Sequence, residues 1–452
     1  MKSIPILVWV LACALPVPVC RAQNAGTIAA FERLSSVIGG QLHAADGGSS
    51  VALAEVERIA LADNAEIHVA GRRVRSAEAH VPAANNLDDP QGMYRSWGIP
   101  ISKPWDYNSA QNMMMIGQAL PGPGKRALRI AVAHSDVEAA KDELAVTQVR
   151  VRVEVRKAFY DLLRAQDESR IHDQHVGVAQ QAIEAARIKY TVGKIPQVEI
   201  LKAQLALTRL AEHMIRFERD ADVARAHLNT LLGRNAGAAI SVEGDYGLER
   251  VLPEADVLEK LAMQARPDLL EAETMAEKSR REQAVARKTY VPDFNIAAGY
   301  MLMPAGSSIR NNYMLEGSMS LPWLNRHKHD TELTEAATRI TEQEAELSAM
   351  QVAARGQIGE ALAQAKAAQR LARVYQDSLR QQAEETLHSS LIAYENDQTS
   401  FLDLLDSQMT VVDVDLAWID ALGEFNTRLA DLEMATGTPI EMTDQSAAEE
   451  RK

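Results

Sequence analysis

Cysteine is almost missing from this chain: the two present, Cys13 and Cys20, both fall within the first 22 residues. No disulfide framework or cysteine metal site can be built from the remainder. Proline is absent from two long intervals, between Pro123 and Pro196 and between Pro322 and Pro439. Beyond the amino-terminal segment no apolar run approaches the ~20 residues that a membrane-crossing helix needs, so a membrane role has to rest on strands. Positive charge is the minority sign, with 48 Lys and Arg against 62 Asp and Glu and a formal charge of −14. That balance argues against nucleic acid as a partner and is compatible with a duct that favours cations. No Gly-rich phosphate loop, zinc-hydrolase motif or nucleophile elbow stands out. The patterning of a globular enzyme is missing too, so neither enzymatic activity nor a cofactor is expected.

The first residues read as a leader. Lys2 precedes the apolar stretch Ile4 to Ala12, and Cys20-Arg21-Ala22 supplies a small-residue exit, which predicts a secretory signal peptide over 1–22. Val10-Leu11-Ala12-Cys13 also resembles a lipoprotein-processing site, so lipidation at Cys13 stands as an alternative.

What the chain does contain is a second copy of itself. Pro90 and Pro292 lie 202 residues apart and Pro121 and Pro322 lie 201 apart, while Tyr190, Leu201, Gln204, Leu228 and Gly233 recur 204 residues on as Tyr394, Leu405, Gln408, Leu432 and Gly437. Chance identities would scatter in offset. These slip by one residue in a loop and by three between Pro322 and Tyr394, as a small insertion in one long element would make them do. Repeats of this kind precede any fold assignment. They predict two structural repeats, 23–240 and 241–452, each holding a helix, two extended segments, a very long helix, a tight turn and another helix.

The proline-free intervals are rich in Ala, Glu, Gln, Arg, Leu and Val, strong helix formers without breakers. A helix from Arg126 to Tyr190 would be on the order of 100 Å long at the α-helical rise, so it must lie in a coiled-coil-like bundle. Ala158, Phe159, Leu162, Leu163 and Ala165 form one apolar face and Leu201, Leu205, Leu207 and Leu210 another. The extended segments alternate instead. Phe294, Ile296, Ala298, Tyr300 and Leu302 share one side, as do Tyr313, Leu315, Gly317, Met319 and Leu321 in the next segment. Period-two stretches of about ten residues suit tilted transmembrane strands, predicted at about 93–101, 111–120, 293–303 and 311–320. Aromatics make up only 5% of the chain, yet Tyr94, Trp97, Trp105, Tyr107, Tyr290, Phe294, Tyr300, Tyr313 and Trp323 gather around these segments, as an interfacial girdle would require. Four strands cannot close a barrel, and open edges are not tolerated in lipid. Closure by further copies of the chain, as a ring, is the simplest solution.

In order and in duplication, these stretches resemble the TolC-type outer-membrane efflux proteins over nearly the whole chain. The first copy offers Ala62-Asp-Asn-Ala-Glu-Ile67, Asp89-Pro90, Gln118-Ala-Leu-Pro-Gly-Pro-Gly-Lys-Arg126, Tyr190-Thr-Val-Gly193, Val198-Glu-Ile-Leu-Lys-Ala-Gln204 and Leu228-Asn-Thr-Leu-Leu-Gly233. The second offers Arg266-Pro-Asp-Leu269, Tyr290-Val-Pro-Asp-Phe294, Tyr394, Phe401-Leu-Asp-Leu-Leu-Asp-Ser-Gln408 and Leu432 to Gly437. The resemblance implies a mainly α fold with a transmembrane β-barrel part: a homotrimer whose chains give four strands each to one barrel in outer-membrane lipid, continued by a helical tunnel across the periplasm of a Gram-negative bacterium. It implies a periplasmic adaptor and an inner-membrane pump, of the proton-driven RND type, as partners. The turn Pro121 to Arg126 most resembles the heavy-metal branch, so a passive exit duct for heavy-metal cations is expected. A multidrug or type I secretion channel is one alternative, and a secreted coiled-coil scaffold is an alternative of another class.

The turns Thr191 to Pro196 and Glu395 to Ser400 match in position and should form the periplasmic tip, with Gly193, Lys194, Asp397 and Gln398 available for adaptor docking. Asp403 and Asp406, three apart, share a helix face. Three copies of each would make two carboxylate rings that attract cations, though solvated helix charges are the plainer reading of the residues alone. Their first-repeat equivalents are Glu199 and Lys202. Tyr394 and Glu199 match family positions whose contacts hold the tip shut, whereas Thr399 replaces an arginine of that lock. By parity, Met301, Met303 and Met314, with Met113 and Met115, face the lumen if Phe294, Tyr300 and Tyr313 face lipid. Their thioethers suit soft Cu(I) or Ag(I), against the alternative that they are flexible apolar filling. No firm metal site is expected.

Overall fold

The computed structural model describes residues 50–396, 398–440 and 443–444. The predicted leader over 1–22 and Asp397 of the second turn lie outside them. Strand β1 (Ser50–Val51) leads into helices α1 (Leu53–Asp63) and α2 (Ala65–Asn85), followed by strands β2 (Gln91–Trp97) and β3 (Gln111–Leu120) and helices α3 (Lys125–Thr191) and α4 (Gln197–Leu231). After β4 (Ser241–Val242) and β5 (Arg250–Val251) the series returns. Helices α5 (Ala255–Ala265) and α6 (Pro267–Arg287), strands β6 (Phe294–Leu302) and β7 (Asn311–Met319), helix α7 (Arg326–Val374), a π turn at Tyr375–Leu379, helices α8 (Arg380–Glu395) and α9 (Phe401–Thr436), and β8 (Thr443–Asp444) follow. Two-residue pairings join β1 to β4 and β5 to β8.

The duplication extends to single hydrogen bonds. Asn64 caps α2 by accepting from Glu66 N at 2.8 Å, and its amide donates to Leu231 O at 2.9 Å. Its counterpart Arg266 donates from Nη1 to Ala435 O at 3.0 Å. Just beyond those carbonyls, Gly233 and Gly437 adopt φ of +68° and +75°, and a Cβ on either would come within 2.9 and 2.8 Å of backbone atoms of Asp63 and Arg266. Left-handed geometry and close approach together require glycine at both helix ends.

Helix α3 has 67 residues, about 100 Å at the α-helical rise. Its counterpart runs from Arg326 to Glu395 through the π turn and is three residues longer. The inserted residues thus fall in the helix whose bond pattern widens at Tyr375–Leu379, as π turns interrupt α-helices. The core is a thin seam. In the first repeat Val56, Ala60, Val151, Val155, Ala158, Phe159, Leu162 and Leu228 pack together, and in the second Leu258, Ala262, Ile358, Ala365, Phe425 and Leu432 do so. Abundant alanine lets long helices approach closely. The face expected through Leu201, Leu205, Leu207 and Leu210 does not form as one strip. Ala203 and Leu210, a heptad apart, are buried, whereas Leu201 and Leu205 are each 52% exposed in the single chain; nothing is described of the Leu207 side chain.

The four long strands form one antiparallel sheet in the order β2-β3-β6-β7. The strand expected over 93–101 runs instead over Gln91–Trp97, because Gly98 turns to φ +76° and Pro100 has no amide to donate. The other three lie at Gln111–Leu120, Phe294–Leu302 and Asn311–Met319. Strand register aligns Tyr94 with Met114, Tyr300 and Tyr313, all exposed, on one face. On the other, Arg95, Met113, Met301 and Asn312 fall in one row, and Met93, Met115, Gly299 and Met314 in the next. Gly299 has no room for a side chain, since a Cβ there would lie 2.4 Å from Met115 Cγ.

The turn Pro121 to Arg126 fastens the sheet to the helices. Gly122 N donates to Asp293 Oδ1 at 2.7 Å, and Lys125 Nζ, nearly buried, reaches the same oxygen at 2.8 Å. A Cβ on Gly122 would lie 2.5 Å from Pro292 O. The sequence of this turn therefore has a structural reason of its own, independent of what the chain transports.

Candidate functional site

Two regions hold the residues singled out above, and they are far apart. One is the pair of turns at the end of the long helices, the other the methionine-bearing face of the sheet.

The turns are built alike. Beyond the end of helix α3, Gly193 turns to φ +75°, with Lys194 N donating back to Lys189 O at 2.9 Å. Gln398 N donates to Ala393 O at 2.8 Å, the same bond 204 residues on. Gly193, Lys194 and Gln398 are exposed. The helices that follow start differently. Pro196 gives α4 no side-chain cap, whereas Ser400 and Asp403 form a reciprocal capping box on α9. Asp403 Oδ2 accepts from Ser400 Oγ and from Thr399 Oγ1, each at 2.8 Å. Thr399, standing where an arginine was expected from the resemblance, thus spends its hydroxyl inside its own turn. Those bonds, Thr399 first and then Ser400, hold the Asp403 carboxyl below its usual range, so it stays ionised near neutrality. Asp406, one turn on, is exposed, and Thr410 bonds only its backbone carbonyl.

Behind the turns Tyr394 packs at 5.9 Å, ring to ring, on Phe401, among Ala186, Ala203, Leu404 and Leu405. Lys189 Nζ stands 3.6 Å from the centre of its ring, a cation–π contact. Tyr394 Oη and Glu199 Oε2 are both buried, and neither meets a hydrogen-bond partner among the described residues. The pair expected from the resemblance is therefore not bonded together here. Each such orphan costs about 1–3 kcal/mol, which a partner outside the chain would relieve. Lys202 is exposed beside them on α4.

On the sheet, Met113 and Met115 are buried at 1% and 4% exposure and pack with Ala297 and Met314. Gln111 Nε2 reaches Met301 Sδ at 2.7 Å, and Met303 follows the end of β6, where its amide donates to Arg310 O. Four of the five methionines are thus neighbours on one face, packed as apolar filling would be, and Met303 continues that side by parity. Among the described residues no group of three or more His, Cys, Asp and Glu could hold a metal ion.

Sequence reasoning passed over a further set of groups, on α3. His172 is fully buried and edge-on to Phe217 at 5.6 Å, and burial holds its pKa down to about 4 against the backbone of Leu210, which pushes it up. Three residues on, His175 lies 3.3 Å from Asp415, which Arg380 also contacts at 2.8 Å while stacking 4.0 Å over Trp418. Arg156 is clasped between Glu57 and Glu433. A charged residue recurring on an otherwise apolar helix face was the only signal available for these in sequence.

The sequence profile described as outer membrane efflux protein matches residues 58–234 and again 258–438. The cobalt-zinc-cadmium resistance protein CzcC of Cupriavidus metallidurans is 23% identical over 303 residues, which cover 67% of this chain and 71% of CzcC. Among solved structures, CusC superposes with a TM-score of 0.72 at 15% identity, covering 86% of this chain and 93% of CusC. The Campylobacter jejuni outer membrane channel CmeC gives 0.70 at 15% identity with 88% of both chains covered, and the open-state MtrE channel of Neisseria gonorrhoeae 0.70 at 17%, covering 87% and 90%.

Proposed function

Because the chain belongs to the outer membrane efflux protein family, whose profile it matches twice, we propose that it is the exit duct of a tripartite exporter of heavy-metal cations. It is an outer-membrane channel protein with a large periplasmic helical part, in a family of channels rather than enzymes. The observation that carries the reading is the sheet: one face of exposed tyrosines and aliphatics, the other of Arg, Asn, Gln and methionine, with bare edges at β2 and β7, standing on helices about 100 Å long. Such a sheet needs lipid on one side, water on the other and further copies at its edges. A homotrimer supplies those copies. The double match supports the repeats 23–240 and 241–452; the leader over 1–22 rests on the sequence pattern alone.

The remaining parts of the proposal rest on chemistry. A periplasmic adaptor docks at the exposed tip around Gly193, Lys194, Asp397 and Gln398, and an RND-type pump loads the duct. Asp403 and Asp406 ring the aperture and favour cations, Asp403 doing so while capping α9. Tyr394 and Glu199, unpaired among the described residues of one chain, find partners on the neighbouring helix and hold the tip shut. Met113, Met115, Met301, Met303 and Met314 line the lumen side of the barrel. The likeness to CzcC, a cobalt-zinc-cadmium resistance protein, favours those ions as cargo. Deletion of the gene tests this: cells should become sensitive to cobalt, zinc and cadmium, or to copper and silver, more than to dyes and detergents. Sensitivity to hydrophobic drugs alone would move the duct to multidrug export, and a defect in protein export alone to type I secretion.

A further inference from the structure

The four long strands contain two charged residues, Arg95 and Glu316, and these sit at opposite edges of the sheet. Arg95 belongs to β2 and Glu316 to β7, the first and last strands in the order β2-β3-β6-β7. Cross-strand register puts both on the methionine face. Both are exposed, Arg95 Nη2 reaching only Met93 Sδ at 3.4 Å, and neither has an ion-pair partner among the described residues. Within one chain three strand spacings, about 14 Å, keep them apart.

We propose that Arg95 of one copy pairs with Glu316 of the next, across the seam where β2 and β7 of neighbouring copies join. The inference rests on the trimeric closure proposed above. Ser320 N donates to Asp293 O at 2.9 Å and Met303 N to Arg310 O at 2.8 Å, so the methionine-face residues of β6 are the ones that hydrogen-bond towards β7. For L-residues this sets β7 to the left of β6 when the apolar face is viewed with β6 running upward. Barrel strands lean right as they rise in that view, because neighbouring strands twist in one hand only. A hydrogen-bonded row therefore climbs as it moves left, and the next copy's Arg95 meets β7 further along than Asn312, its row-mate in an untilted sheet.

Only an even stagger keeps the two faces matched across the seam. Four residues per chain, repeated around three copies, give a shear of about 12 over roughly twelve strands and a tilt of about 35°. That and the roughly 47° of a stagger of six both stand near the ~35–45° of outer-membrane barrels, whereas two gives only roughly 20°; six would oppose Arg95 with the uncharged Ser318. A stagger of four sets Glu316 directly opposite Arg95. The pair then fixes a head-to-tail seam, since β2 against β2 would oppose two cations.

Cysteine cross-linking in the full chain reads the seam directly, because both native cysteines lie within residues 1–22. Arg95→Cys with Glu316→Cys should give disulfide-linked trimers on a non-reducing gel. Arg95→Cys with Asn312→Cys should not, its Cα atoms exceeding the ~4.4–6.8 Å that a disulfide spans. As an independent readout, Arg95→Glu should lower the temperature at which the trimer dissociates in detergent, and adding Glu316→Arg should restore it. Trimers that stay unlinked through 95 and 316, or that link through 312 instead, overturn the pair and leave the channel standing. A parent chain that forms no trimer overturns both.

Discussion

Replacing His172 by leucine should make the helical bundle less sensitive to acid. The imidazole is fully buried, and burial, opposed by the backbone of Leu210 and aided by His213 and His175, lowers its pKa from 6.5 to about 4. A base with a depressed folded-state pKa contributes stability that is present above 6.5 and is lost as pH falls through 4. The full difference is roughly 3 kcal/mol per chain below pH 4, and about 2 kcal/mol is already gone at pH 5. Leucine fills similar volume, carries no proton and leaves no buried donor behind. At pH 8 the variant should therefore be as stable as the parent or more so, and at pH 5 it should lie above the parent by about 2 kcal/mol. Thermal unfolding in detergent, followed by circular dichroism at both pH values, measures the difference. Parallel acid sensitivity in the two proteins would refute the claim that His172 is held neutral by burial.

Other perturbations address the tip and the barrel. Ser400→Ala removes one half of the capping box and should destabilise the start of α9 by about 1 kcal/mol, seen as faster amide exchange at residues 401–404 with the bundle's exchange unchanged. Asp403→Asn with Asp406→Asn should weaken cation preference in single-channel recordings; unchanged reversal potentials would place the selectivity elsewhere. Tyr394→Phe with Glu199→Ala should raise conductance or antibiotic leakage, and a double variant as tightly closed as the parent would remove this pair from the gate. Met→Leu substitution at 113, 115, 301, 303 and 314 should leave folding intact while reducing copper or silver resistance. Full resistance would show those thioethers to be filling.

Architecture was legible in sequence where one pattern repeated over a long span. Offsets of 201 to 204 residues and two proline-free intervals fixed where the long helices lie, and period-two alternation fixed the faces of the strands. Register between non-adjacent strands was not legible, because pairing such as Met113 with Met301 depends on tertiary closure rather than on local pattern. The exposure of Leu201 and Leu205 was missed because leucine marks an apolar surface without saying whether it meets this chain or another. Asp403 was visible as a charge, but its capping role depends on Ser400 and Thr399 folding back onto it. His172 was missed because a histidine beside Asp173 and three residues before His175 looks solvated until its helix is packed.

Reconstitution of the purified protein into planar bilayers, with its oligomeric mass determined in the same preparation, tests the central claim most directly. The account predicts a trimer that inserts as a single conducting unit, with a reversal potential showing preference for cations. A monomer that remains soluble without detergent and gives no conductance would contradict it.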